Sequence, residues 1–212
     1  MNLPNRLTVS RFVLTAFFLW AVFSRLRFND TLGLVFFCAA ALTDLLDGRI
    51  ARQRHLITNF GILMDPLADK ILTCSAFIAL VERHTIALTR GELPVVFHLG
   101  GHPVFAKVEA WMVVVIVARE LAITGLRLLA ASKSLVLAAE GYGKHKTISQ
   151  MVAIISLLVL NACEEWPARL QAFFLAWVPA FALVVLWLAV ALTAVSGGIY
   201  LWRNRALYLR ES

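Results

Sequence analysis

Residues 172–202 read AFFLAWVPAFALVVLWLAVALTAVSGGIYLW, without a single Asp, Glu, Lys, Arg or His. A helix needs about 20 such residues to cross roughly 30 Å of hydrocarbon. Inside lipid, a helix or a closed barrel alone can satisfy its own backbone N–H and C=O groups. Working outward, further apolar runs cover 8–24, 31–50, 61–82, 106–131 and 147–163. The pattern predicts an all-α integral membrane protein with six transmembrane helices, one domain spanning 1–212. Composition agrees: 60% of residues are hydrophobic and 16% charged, against about half and about a quarter in soluble domains.

The surplus of 20 Lys and Arg over 13 Asp and Glu is scattered between the apolar runs. No basic arm with interleaved aromatics is present, so nucleic acid is not an expected partner and anionic lipid is. Six spans put both termini on one side. That side collects Arg6, Arg11, Arg49, Arg52, Arg54, Lys133, Lys144, Lys146, Arg203, Arg205 and Arg210. The other side has Arg25, Arg27, Arg83, Arg90 and Arg169, diluted by Asp30, Glu82, Glu92, Glu164 and Glu165. Short cytoplasmic loops carry excess Lys and Arg, so both termini are expected in the cytoplasm. Residues 83–105 form the one extended loop expected on the outer side. Arg6 and Arg11 precede an apolar run as in a signal peptide, but no small-x-small cleavage site follows, and the run is expected to stay as the first helix. Cys38, Cys74 and Cys163 are far apart and each lies in or beside an apolar run, so they indicate no disulfide framework.

Four of the five aspartates, Asp44, Asp47, Asp65 and Asp69, fall at the facing ends of the second and third expected spans. Spacings of three and four residues put each pair on one helical face, so two carboxylate pairs can converge. Carboxylates this close repel one another unless cations join them, and acids at membrane depth are expensive enough to be functional by default. With oxygen donors and no His or Cys beside them, a hard ion such as Mg²⁺ or Mn²⁺, sharing its shell with substrate phosphates, is the natural partner. The plainer alternative is helix-end caps with salt bridges to Arg49, Arg52 and Lys70. Gly48 and Gly61 would let a phosphate approach the backbone, and the planar fork of Arg52 suits phosphate oxygens.

Together these residues read Asp44-x2-Asp47-Gly48-x2-Ala51-Arg52-x8-Gly61-x3-Asp65-x3-Asp69. This resembles the signature of the CDP-alcohol phosphotransferase family, with no position departing from it. The resemblance implies a six-span membrane fold, usually a homodimer, whose cytoplasmic-side site binds a CDP-linked lipid and two divalent metal ions. On that likeness Asp44, Asp47 and Asp65 are metal ligands, and Asp69 lies by the metals as general base. Asp44, Gly48, Arg52 and Gly61 would border the donor. The implied setting is the bacterial inner membrane, with CDP-diacylglycerol as donor.

Three further segments, Leu3-Pro4-Asn5-Arg6-Leu7-Thr8 leading to Arg11, Arg119-Glu120-Leu121-Ala122-Ile123-Thr124 leading to Arg127, and Gly143-Lys144-His145-Lys146-Thr147, resemble the branch of the family whose acceptor is glycerol 3-phosphate. An anionic acceptor needs fixed cations, and Arg119, Arg127, Lys144 and Lys146 lie on the expected cytoplasmic side. Positive-inside flanks are the alternative for the lysines. Pro4 followed by Asn5 and Thr8 has the form of a helix start, and a short N-terminal interfacial helix is expected ahead of the first span. Other acceptors of the same chemistry are inositol phosphate, serine and phosphatidylglycerol. A metal-ion transporter is the competing class, but its acids belong near the midplane with polar residues leading to both faces.

Overall fold

A computed structural model of the chain describes residues 3–24, 26–54, 59–91, 95–99, 102–132 and 142–205. Helix α1 runs Leu3–Phe23, α2 Asn29–Arg54 and α3 Asn59–Arg90. A hairpin follows, β1 Val95–Leu99 and β2 His102–Phe105. Then come α4 Ala110–Ser132, α5 Tyr142–Ala162, a 3₁₀ turn Cys163–Glu165, α6 Ala168–Leu175 and α7 Val178–Arg203. Lys146–Glu165 and Val178–Arg203 are long and apolar enough to cross a bilayer, with mean hydropathies of 1.6 and 2.5. The molecule is thus mostly helical, as an all-α membrane protein should be.

Helix α1 lies along α2 and touches α3; α5 packs on α2 and α7, and α4 closes against α7 and α3. The interior is apolar, built from Phe18, Phe37, Leu72, Phe77, Leu80, Ile116, Ile154, Leu157 and Leu186. The outside is apolar too: Val114, Leu121, Leu128 and Val184 are 64–67% exposed. Apolar side chains on both faces of the helices fit a lipid solvent better than water. The α1–α2 approach is close because Gly33 has no side chain; a Cβ there would stand 2.8 Å from Val22 Cγ2.

Three expectations change. No separate interfacial helix precedes the first span: Leu3–Phe23 is one helix. Pro4 sits in its first turn, where a missing N–H costs nothing, and no helix breaker follows. The last apolar run is two helices, because the chain breaks at Ala176 and Trp177 before α7 restarts with Pro179 in its first turn. The 83–105 loop is largely regular. Helix α3 continues to Arg90 and stops at Gly91, whose φ of 72° is the left-handed conformation common after helix ends. The hairpin then pairs Phe97 with Val104 and Leu99 with His102, with a register shift between Val95 and Phe97.

Candidate active site

Polar side chains of six helices meet near the end of the bundle where α1 starts and α7 stops. Arg11 of α1 is buried, with 1% of its side chain exposed, and its Nη2 pairs with Asp44 Oδ1 of α2 at 2.8 Å. Asp44 keeps 36% of its side chain exposed, so this carboxylate has an accessible side as well as a cation. Asp69 of α3 lies within electrostatic range of Asp44, Arg11, Glu120 and Lys146. Charges from α1, α2, α4 and α5 therefore surround one acid.

Glu120 of α4 organises the second half of this cluster. Its Oε1 accepts from Lys146 Nζ of α5 and, at 3.2 Å, from Arg119 Nη1. Both cations thus sit on one carboxylate oxygen. Lys70 donates to Thr124 Oγ1, and that hydroxyl donates to the backbone oxygen of Glu120 at 2.8 Å. Arg119 Nη2 also reaches Ser196 Oγ of α7 at 3.5 Å. Behind them Gln150 Nε2 donates to Thr193 Oγ1 at 3.0 Å, and the hydroxyl of Thr73 donates to the backbone oxygen of Asp69 at 3.0 Å. In low dielectric such bonds are stronger than in water.

Of the expected site residues, the structure gathers Asp44, Asp69, Arg119 and Lys146. Arg127 is exposed eight residues further along α4, its guanidinium 5.9 Å from the Tyr200 ring centroid. Asp47, Gly48, Arg52, Gly61, Asp65 and Lys144 fall on helices α2, α3 and α5, and their side chains lie outside those described. Lys133 lies outside the described residues altogether. Among the described residues no three His, Cys, Asp or Glu side chains group as a metal site. Asp44 and Asp69 nevertheless supply hard oxygen donors from two neighbouring helices, which suits Mg²⁺ or Mn²⁺ rather than a soft ion. Two residues stand outside the sequence reading: Arg11 as the partner of Asp44, and Glu120 as the anchor of both cations. An acid beside a base inside an apolar run, as at Arg119-Glu120, was a usable signal, because such charges require partners.

Residues 1–195 match the model of the CDP-alcohol phosphatidyltransferase family. The chain belongs to this family and is an enzyme that transfers phosphatidyl groups. It is similar to the CDP-diacylglycerol–glycerol-3-phosphate 3-phosphatidyltransferase of Bacillus subtilis (strain 168), 37% identical, covering 96% of this chain and 95% of the relative. The enzyme of the same name from Escherichia coli (strain K12) is 30% identical over 88% of this chain and 90% of its own length. That from Rickettsia felis is 29% identical, over 94% and 93%.

Proposed function

We propose that the chain moves the phosphatidyl group of CDP-diacylglycerol onto glycerol 3-phosphate, giving phosphatidylglycerophosphate and CMP in phospholipid synthesis. The observation that carries this reading is the pair of cations, Arg119 and Lys146, held on Glu120 beside Asp69. A neutral alcohol needs no such pair, whereas a phosphate-bearing acceptor does. The full-length similarity to relatives named for this reaction supports the same acceptor.

Asp69 is the general base. It takes the proton of the acceptor hydroxyl while that oxygen bonds to the lipid-side phosphorus, and the bond from this phosphorus to the CMP oxygen breaks. Arg119 and Lys146 hold the acceptor phosphate, with Lys144 and Arg127 flanking it. Arg52, Gly48 and Gly61 border the donor diphosphate and nucleotide. Two Mg²⁺ or Mn²⁺ ions, held by Asp44, Asp47, Asp65 and Asp69, supply charge neutralisation on the diphosphate when bound. Arg11, 2.8 Å from Asp44, orients that carboxylate for the task.

The setting is the bacterial inner membrane, crossed by α1, α2, α3, α4, α5 and α7, with both termini and the site on the cytoplasmic side. The positive-inside distribution supports this orientation. The family resemblance supports a homodimer.

Purified protein incubated with CDP-diacylglycerol, Mg²⁺ or Mn²⁺ and a panel of acceptors should release CMP with glycerol 3-phosphate and much more slowly with serine, inositol phosphate or phosphatidylglycerol. A preference for any other acceptor overturns the assignment. Excess EDTA should abolish turnover and added Mg²⁺ or Mn²⁺ restore it; full activity in EDTA would remove the metals from the reading. A cysteine placed near Lys133 should be labelled from the cytoplasm and one at Gly91 from outside.

A further inference from the structure

Arg119 Nη1 lies 3.2 Å from Glu120 Oε1. Its side chain lies against α7 where that helix has two glycines in succession, and the two differ sharply in what they face. A Cβ built on Gly197 would stand 2.6 Å from Arg119 Cγ, 3.6 Å from its Cβ and 3.8 Å from its Cδ. A Cβ on Gly198 would meet nothing within 4 Å. The first distance is well inside van der Waals contact. The clashing atom is Cγ, near the root of the side chain, so relief requires a turn about the first side-chain torsion that swings the whole guanidinium. The flexible end cannot absorb it.

We propose that Gly197 is a positioning residue for the acceptor phosphate. The missing side chain is the notch that seats the Arg119 stem, so that Nη1 meets the Glu120 oxygen shared with Lys146 and Nη2 reaches Ser196. Glycine is among the poorest residues for a helix interior, and at 197 its use is steric. The inference rests on Arg119 serving the acceptor phosphate, as read above. It adds that α7, which contributes no charge to the cluster, sets where that charge points.

Four variants of the full-length enzyme test it: Gly197→Ala, Gly198→Ala, Arg119→Ala and the double Gly197→Ala/Arg119→Ala, each measured for KM of glycerol 3-phosphate, KM of CDP-diacylglycerol, kcat and thermal midpoint. Gly198→Ala should match the parent. Gly197→Ala should raise acceptor KM about tenfold, as expected for a displaced charge-assisted contact, with donor KM within about twofold. The double variant should be no worse than Arg119→Ala alone, since residues that act through one group do not add. Parent-like acceptor kinetics in Arg119→Ala would overturn the acceptor role of Arg119, and the positioning role with it. A raised KM there with parent-like Gly197→Ala would overturn the notch alone. Multiplied penalties in the double would mean that Gly197 acts elsewhere, also against the proposal. If Gly197→Ala does not fold, the double variant should regain its thermal midpoint, because the clashing Cγ is gone; failure to regain it counts against the notch.

Discussion

The two ends of the bundle are both polar, yet they spend their charges differently. At the hairpin end, each group closes onto a partner that holds two elements together. The N–H groups of Asp30 and Thr31, at the start of α2, each donate to one oxygen of Glu165 at 2.9 Å. Trp166 Nε1 donates to Thr31 Oγ1 at 3.0 Å, and Arg83 pairs with Asp30. Buried His84 accepts from the Val108 N–H at 3.2 Å and meets Asn161 Oδ1 at 3.1 Å, tying α3 to α5 and to the segment leading into α4. At the Asp69 end, like charges are crowded: Asp44 with Asp69, Arg119 with Lys146. The hairpin end is tied largely through backbone N–H groups, whereas the Asp69 end joins side chain to side chain, Arg11 with Asp44 and both Arg119 and Lys146 with one Glu120 oxygen. When bound, a metal ion would draw on Asp44 and a phosphate on Arg119 and Lys146, groups that the second end closes on one another.

This contrast can be broken by substitution. Asp69→Asn keeps shape but cannot take the hydroxyl proton, so kcat should fall by about 10²- to 10⁴-fold with the thermal midpoint unchanged; near-normal turnover would remove Asp69 as base. Lys146→Ala should raise the acceptor KM by about ten- to a hundredfold, from the loss of a charge-assisted contact worth roughly 1.5–3 kcal/mol. Donor KM should barely move, and equal changes in both constants would count against an acceptor pocket. His84→Ala at the other end should behave oppositely. It leaves the Val108 N–H unmatched and should cost about 1–3 kcal/mol of stability, read as a lower unfolding midpoint, with kcat per folded molecule retained. Glu165→Ala, which removes a helix-start acceptor, should cost about 0.5–2 kcal/mol in the same assay. Loss of turnover in folded His84 or Glu165 variants would erase the distinction between the ends.

The candidate site is most legible in the sequence where chemistry concentrates in few residue types. Four of five aspartates at two facing span ends are visible because acids are rare in apolar runs. That Glu120 needs a partner is visible, but which one is not, because Lys146 lies 26 positions away across a helix pair and no local period links them. Gly197 is likewise silent: beside Gly198 it reads as filler until the neighbouring helix is in place. The break between α6 and α7 escapes because the run is apolar on both sides of Trp177, so periodicity carries no contrast there. The hairpin had a signal in Gly100-Gly101 between two short runs rich in valine and phenylalanine.

The clasp at Glu165 also bears on the order in which the chain assembles. Its carboxylate joins backbone groups 135 and 134 residues earlier. Helix α2 therefore emerges from synthesis with its first N–H groups open, and they stay so until α5 and the turn after it have been made. A nascent chain halted before Glu165 should have α1 and α2 side by side but frayed at that end, and a protease acting on stalled chains should cut near Asn29 until the later segment arrives.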